Sequence, residues 1–365
     1  MIKLYEPKIY QEDIDLVNKT LNDGWISGNS PIVSEFEEKL KNYCGVEYCM
    51  LTSSGTTALH LALLGSGLSD KDEVIVPSLS YIATANSVSY IGGKPVFVDV
   101  REDNFQIDTE KIEKFITRKT KAILPVHLYG EVPDLKKIEY IAKKYELKVI
   151  HDSAESLGTL YEGKHSVSYP DVGIVSFFPN KIITTGEGGA LLTNDKEIYE
   201  KSFKFRSQGL VKNTDYIHDV IGYNYRISAL SAALGFNQID KIEKHLKLKS
   251  DVFKTYKKGL EKYGVRFQTS SKNIRSSYWL TVGIFDRNVN IEKLKIYLEK
   301  NQIETRRVFM PLNLQKPYLE SSKKRYAISK KLYDSGLCLP TYPYLENENI
   351  EYVIEKIVKF IQENS

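Results

Sequence analysis

The chain has 365 residues, is 42% hydrophobic and 27% charged, and carries a net charge of +4. This is the composition of an ordinary globular protein with room for two domains, and its dispersed lysines argue against a nucleic-acid-binding surface. Cys44, Cys49 and Cys338 lack metal-ligand spacing, and the N-terminus lacks the apolar core of a signal peptide. No apolar run approaches the ~20 residues that span a bilayer. We therefore expect a cytoplasmic protein with no metal and no membrane partner.

Two amphipathic helices are predicted before the first strand. Ile14, Val17 and Leu21 recur at helical spacing, and Gly24 suits the left-handed residue that often ends a helix. A second stripe at the same spacing is formed by Val33, Phe36, Leu40 and Tyr43.

From residue 46 onward, short apolar runs alternate with helical segments. The predicted strands are 46–51, 73–77, 95–100, 121–127, 147–151, 172–178 and 189–193. The predicted helices between them lie near 56–65, 82–91, 109–117 and 134–145. Runs that are apolar at successive positions, such as 74–76, are typical of strands covered on both faces. This alternation predicts an α/β fold whose mostly parallel sheet of seven strands is flanked by helices.

The alternation of strands and helices ends at a long connecting helix, predicted from Arg226 to about His245. The remainder mixes helices with short strands, near 278–285 and 305–309. The sequence therefore predicts a large domain over 1–245 and a smaller α+β domain over 246–365.

A candidate phosphate loop follows the first predicted strand. Ser54, Gly55 and Thr56 lie where a helix begins. Glycine lets the backbone approach a phosphate closely, and the free N–H groups and dipole of the helix favour an anion. Ser54 and Thr56 add hydroxyl donors. A helix N-cap with nothing bound would give the same pattern.

Two carboxylates follow the strand 147–151. Asp152 lies at its carboxyl end, where open α/β sheets bind ligands. A carboxylate there can hold a pyridinium N–H, or it can cap the next segment. Glu155 can reach the same side, and we expect it near the phenolic oxygen of a bound cofactor.

Lys181 lies between an apolar run and the Gly-rich turn 186–189. An ammonium that loses solvation there becomes a nucleophilic amine able to form a Schiff base. Ser176, five residues earlier, can flank the same site on the phosphate side. Tyr81 follows the strand 73–77 and can stack on a cofactor ring, or it can pack in the core. An amine, a ring-nitrogen carboxylate and a phosphate loop together predict pyridoxal 5'-phosphate (PLP) as cofactor.

In combination, these motifs match one family nearly end to end. The matching segments are 23–28, 54–59, 126–130, 152–158, 176–189 and 222–226. The chain resembles the PLP-dependent sugar-nucleotide aminotransferases of the DegT/StrS type, which have PLP fold type I. The resemblance implies that Lys181 binds PLP, that Asp152 pairs with its ring nitrogen and that Glu155 lies near its phenolic oxygen. It also implies phosphate contacts from Gly55, Thr56 and Ser176 and a ring contact from Tyr81.

The same resemblance implies a homodimer whose subunits share their active sites. Asn224 would reach the phosphate bound by the other subunit. Arg226 and His218 would then lie near the neighbour's substrate, and Trp25 is a further candidate for substrate binding.

The activity that the resemblance implies is transfer of an amino group from L-glutamate to a nucleotide-linked 4-keto-6-deoxy sugar, for a surface polysaccharide. The segment 165–171 departs from the family pattern shortly before the lysine. A 3-keto sugar nucleotide or a small phosphorylated ketone such as dihydroxyacetone phosphate is therefore an alternative acceptor. A non-catalytic sensor of PLP or of an amino sugar is less favoured, because three separate cofactor features coincide.

Overall fold

The computed structural model describes residues 1–211, 214–286, 288–319 and 326–364. The α-helices are α1 (Gln11–Asp23), α2 (Pro31–Cys44), α3 (Gly55–Gly65), α4 (Ala83–Tyr90), α5 (Thr109–Ile112), α6 (Leu135–Tyr145), α7 (Lys196–Arg206), α8 (Ala229–Phe236), α9 (Ile242–Leu260), α10 (Ile291–Lys300), α11 (Ala327–Ser335) and α12 (Asn347–Glu363). The strands are β1 (Tyr48–Thr52), β2 (Glu73–Pro77), β3 (Lys94–Val98), β4 (Thr120–Ile123), β5 (Lys148–Asp152), β6 (Leu160–Tyr161), β7 (Lys164–His165), β8 (Val172–Ser176), β9 (Gly189–Thr193), β10 (Arg266–Phe267), β11 (Ile274–Arg275), β12 (Thr281–Ile284), β13 (Arg306–Arg307) and β14 (Gly336–Leu339).

The largest sheet contains seven strands in the order β1-β9-β8-β5-β4-β2-β3. Strands β8, β5, β4, β2 and β3 run parallel to one another, whereas β9 is antiparallel to both β1 and β8. Helices α4, α5 and α6 connect β2, β3, β4 and β5 in turn, whereas β6, β7 and a 3₁₀ turn lie between β5 and β8. The predicted α/β class with a mostly parallel sheet is confirmed.

The central strands are buried on both faces, which explains their continuous apolar runs. In β8, Ile174 packs in a cluster with Leu59 of α3, while the next residue, Val175, packs in a different cluster with Phe36 of α2. Successive side chains of a strand point to opposite faces, so each face of the sheet has its own core.

The first helix leaves apolar side chains open in the single chain. Gly24 ends α1 in the left-handed conformation, at φ 71°, as its position predicts. The residues that α1 buries are Asp13 and Thr20, whereas Ile14 and Leu21 remain 43% and 50% exposed. The apolar stripe is thus present but faces outward.

The predicted helix from Arg226 to His245 was wrong in its bounds. The Ser228 hydroxyl caps α8 by accepting from the Ser231 N–H, and residues 237–241 form a 3₁₀ turn before α9 begins. Gln238 in that turn binds both the N–H and the carbonyl of Thr184. Helix α9 runs through residue 245, so no break in secondary structure marks the predicted boundary between 1–245 and 246–365. That boundary stays a prediction.

The C-terminal part contains an antiparallel sheet with the order β10-β12-β14-β13. One apolar cluster joins that sheet to α9, α10 and α12. A third, small sheet has the order β11-β6-β7. None of the helices in the described ranges is long and apolar enough to cross a membrane.

Candidate active site

A cavity of about 460 Å³ opens at the carboxyl ends of the parallel strands. Asp152 is the last residue of β5, Ser176 is the last residue of β8, and Tyr81 follows β2. The structure brings together at this cavity the predicted residues Ser54, Gly55, Thr56, Tyr81, Asp152, Glu155, Ser176 and Lys181. They meet because parallel strands end at the same edge of the sheet.

The phosphate loop lies directly against β8. Ser54 caps α3, because its hydroxyl accepts from the Thr57 N–H at 3.1 Å and the Thr57 hydroxyl accepts from the Ser54 N–H at 3.0 Å. A Cβ built on Gly55 would lie 2.9 Å from the Cβ of Ser176. Only glycine allows this approach, so the N-terminus of α3 and the Ser176 hydroxyl face one small space.

Asp152 is buried and held in a fixed orientation. Its Oδ2 accepts from the Thr84 hydroxyl at 2.8 Å, and its Oδ1 accepts from the Ala154 N–H at 3.2 Å. Burial raises the pKa of Asp152, and the Thr84 and Ala154 hydrogen bonds oppose that rise. Thr84 was missed by the sequence reasoning, although it lies three residues after Tyr81 at the start of α4.

The Lys181 amine lies in the same buried volume. Its Nζ is 3.7 Å from Oε1 of Glu155 and 3.9 Å from the centroid of the Trp279 ring. Burial lowers the pKa of Lys181, and the carboxylates of Glu155 and Asp152 oppose that effect. Burial also raises the pKa of Glu155 to about 7. The lysine is thus closer to its neutral, nucleophilic form than a surface lysine is.

The main chain around Lys181 is fixed by residues distant in sequence. The Tyr5 hydroxyl donates to the Lys181 carbonyl, and the Trp279 indole N–H donates to the Asn180 carbonyl at 2.6 Å. The Trp279 ring stacks on Tyr129, with ring centroids 6.0 Å apart. The amine therefore projects from a segment with little freedom to move.

Three residues of the cavity lining were missed because they come from the C-terminal part. They are Trp279, Arg306 and Phe309. The Arg306 guanidinium lies 5.4 Å from the Phe309 ring and 5.9 Å from the Trp279 ring. These positions lie in or at the end of the short strands predicted near 278–285 and 305–309, but no Gly-rich turn or catalytic pattern accompanies them, so the sequence did not select them.

Four predicted site residues lie outside the described cavity lining of the single chain. Trp25 is 54% exposed. Arg226 donates to Asn29 at 3.2 Å, His218 Nδ1 lies 2.9 Å from the Gln208 carbonyl, and Asn224 forms an isolated bridge with Ser207. The predicted roles of Asn224, Arg226 and His218 depend on a second subunit, and these roles, like the substrate contact predicted for Trp25, stay predictions.

Comparison with known proteins shows end-to-end similarity to aminotransferases. A model of the DegT/DnrJ/EryC1/StrS aminotransferase family matches residues 7–358. A protein named GDP-perosamine synthase from Escherichia coli O157:H7 is 41% identical over 360 residues, with 98% of each chain covered. One of the same name from Caulobacter vibrioides is 38% identical over 357 residues, with 97% of this chain and 96% of the relative covered.

Solved structures share the whole fold. PseC of Helicobacter pylori, an aminotransferase involved in the biosynthesis of pseudoaminic acid, has a TM-score of 0.93 at 27% identity and 99% coverage of both chains. The PLP form of Spr1654 from Streptococcus pneumoniae has a TM-score of 0.94 at 26% identity, with 99% of this chain and 98% of that chain covered. These relatives match this chain in length as well as in architecture.

Proposed function

Because this chain belongs to the DegT/DnrJ/EryC1/StrS aminotransferase family, we propose that it moves an amino group from L-glutamate to a nucleotide-linked 4-keto-6-deoxy sugar. The predicted class of PLP-dependent transaminase is confirmed by the family and its PLP-form structure. The observation that carries the proposal is the buried Lys181 amine, which shares one cavity with Asp152 and the Gly55 loop.

The choice of acceptor is supported by two full-length relatives named GDP-perosamine synthase. Segments 277–280, 303–306 and 339–343 also resemble the C-terminal segments of that enzyme. A 3-keto acceptor is less favoured. The relative named for a 3-oxo sugar nucleotide is 33% identical over 88% of this chain, whereas the two relatives named GDP-perosamine synthase are 41% and 38% identical over 98% and 97% of it.

The cavity fits PLP. When bound, PLP supplies an aldehyde that can carry an amino group and a ring that accepts electrons. We propose that Lys181 holds the aldehyde and Asp152 the ring nitrogen. The N–H groups at Gly55 and Thr56, together with the Ser176 hydroxyl, would hold the phosphate, because the lack of a side chain at Gly55 lets this backbone lie directly against Ser176.

The neighbouring side chains would tune these contacts. Thr84 orients the Asp152 carboxylate, whose charge a protonated ring nitrogen would stabilise against the effect of burial. Tyr81, whose ring centroid is 5.9 Å from that of Phe309, would cover one face of the cofactor ring. Glu155 would lie near the phenolic oxygen.

Lys181 would also move the proton during amino transfer. In its neutral form, the Nζ can take a proton from the carbon that bears the amino group, and proton transfer of this kind typically contributes ~10²–10⁴-fold. Glu155 lies 3.7 Å from that nitrogen and can stabilise the resulting ammonium. The Trp279 indole covers the amine and limits its contact with water.

We also propose a homodimer with shared active sites. The segments that carry Trp25, His218 and Asn224 expose large apolar side chains, which single-chain proteins rarely leave open together. These side chains are Trp25, Ile26, Tyr216, Ile217 and Ile221, and α1 adds Ile14 and Leu21. A symmetric contact between two copies would cover them.

Subunit complementation tests the shared site. A Lys181→Ala subunit and an Asn224→Ala subunit are co-expressed with different affinity tags, and the mixed dimer is isolated. If Asn224 serves the partner's site, the mixed dimer has one intact site and should show about half the wild-type activity. Each parent homodimer should remain far below that value. A mixed dimer no more active than its parents would place Asn224 in its own subunit's site and refute sharing.

Acceptor preference tests the proposed reaction. With L-glutamate as donor, kcat/KM should be highest for a GDP-linked 4-keto-6-deoxy sugar, by about 10-fold or more over the dTDP-linked compound, a 3-keto sugar nucleotide and dihydroxyacetone phosphate. A preference for dihydroxyacetone phosphate would overturn the proposed acceptor. If L-glutamate leaves the absorption spectrum of the PLP-loaded protein unchanged over hours, a sensor is indicated instead.

A further inference from the structure

A second lysine, near Lys181, is completely buried. Lys249, in α9, has 0% of its surface exposed. Its Nζ donates to the carbonyls of Trp279 and Thr341, each at 3.0 Å, and lies 4.9 Å from the centroid of the Tyr5 ring. Its hydrogen-bond partners are thus neutral carbonyls. Burial lowers the pKa of Lys249 to about 7.

A buried ammonium held by carbonyls is costly, because uncharged oxygens replace its water shell only in part. Methionine would fill a similar volume without that penalty. The presence of a lysine at this point therefore needs a reason other than packing.

Both aromatic residues that Lys249 contacts also contact the Lys181 segment. Trp279 lies under the Lys181 amine at 3.9 Å and binds the Asn180 carbonyl, while Tyr5 binds the Lys181 carbonyl. Two sets of contacts thus connect the Lys249 ammonium to Lys181, one through Trp279 and one through Tyr5.

The same face of α9 contacts the Lys181 segment at a third point. His245 precedes Lys249 by about one helical turn, and its Nδ1 lies 3.2 Å from the Ile182 carbonyl. Trp279 lies shortly before β12 and Thr341 shortly after β14, two strands that pair with each other. Lys249 therefore links α9 to the end of this strand pair and to the residues that contact the Lys181 segment.

We propose that Lys249 is a positioning residue for Lys181: its ammonium fixes the Trp279 main chain and the Tyr5 ring, and these two residues hold the reactive amine in its dry, oriented position. The inference rests on the proposed function and deepens it, since it concerns how the reactive amine is supported. Within the described residues, Lys249 contacts Trp279, Thr341 and Tyr5, and none of these is a residue proposed to bind PLP.

The test uses the PLP-free protein, so that it does not depend on activity. The pH dependence of Lys181 modification by an amine-reactive reagent is followed by peptide mass mapping, in wild type and in Lys249→Met. Loss of the tether should let water reach the amine and move the midpoint of modification to higher pH, toward the ordinary pKa of lysine. The matched control, Lys247→Met, changes an exposed lysine of the same helix and should leave the midpoint unchanged.

A double-mutant cycle tests the route through the indole. Trp279→Phe should shift the midpoint in the same direction, and the double variant should shift it little further, because both changes break one chain of contacts. In the PLP-loaded protein, Lys249→Met should lower kcat about 10-fold and change the KM for L-glutamate by less than about twofold.

A lower melting temperature with an unchanged Lys181 midpoint would show that Lys249 only stabilises the fold, and the inference would fail. If Lys249→Met does not fold, Lys249→Gln, which keeps one amide donor, is measured in the same way and should show a smaller shift of the same sign. Failure of the proposed function would look different. In that case, L-glutamate would leave the absorption spectrum of the PLP-loaded wild type unchanged, whereas the shift of the Lys181 midpoint in Lys249→Met would remain.

Discussion

Replacement of Lys181 by alanine is expected to lower kcat/KM by at least about 10⁴-fold, because this change removes both the amine that holds the cofactor and the group that moves the proton. No other described lysine lines the cavity and could replace it. Steady-state assay with L-glutamate and the keto sugar gives the loss. Borohydride reduction of the wild type, followed by peptide mapping, should place the cofactor adduct on residue 181.

The control for this variant is Lys164→Ala, which changes an exposed lysine in β7 and should retain wild-type activity. A borohydride adduct that persists in Lys181→Ala, or that maps to another lysine in the wild type, would contradict the assignment of the reactive amine.

Replacement of Asp152 by asparagine is expected to lower kcat by about 10²–10³-fold, since it removes a fixed negative charge from a water-poor site. Asparagine has nearly the same shape, and its amide oxygen can accept from the Ala154 N–H while its NH2 group donates to the Thr84 hydroxyl, so the fold should be preserved. The loss should appear in kcat with cofactor bound at saturation. Equal melting temperatures for variant and wild type would show that the effect is electrostatic.

Asp134→Asn provides a matched control. Asp134 caps α6 by accepting from the Lys137 N–H, and asparagine serves equally well at this position of a helix. Full activity in this variant, combined with an Asp152→Asn enzyme within about threefold of wild type, would exclude the proposed role of Asp152.

The site residues that the sequence could predict are those at the carboxyl ends of strands. Strands β2 and β9 have the predicted bounds 73–77 and 189–193, and each is buried throughout and centred on an apolar run, 74–76 and 190–192. Asp152 and Ser176 then follow from the rule that ligands bind where parallel strands end. The strand predicted over 121–127 ends at Ile123 instead, shortly before Pro125, which lacks the N–H that a sheet needs.

The unpredictable part depends on tertiary contacts between distant segments. Trp279 reaches the Asn180 carbonyl across 99 positions of the chain, and nothing in its local sequence indicates that contact. Periodicity likewise predicted α1 but not which side of it is covered, so Ile14 and Leu21 lie open where a core face was the simplest expectation. Burial of Lys249 could not be read from a chain rich in exposed lysines.

The close packing of Gly55 and Gly189 has a consequence for redesign. A Cβ on Gly189 would lie 2.6 Å from the Gly55 nitrogen, so the turn that follows Lys181 rests with its backbone on the loop proposed for the phosphate. The anchors for the two ends of the cofactor are therefore mechanically coupled. Enlarging one loop to accept a longer vitamin B6 analogue would displace the other, and a useful library would have to vary both segments together.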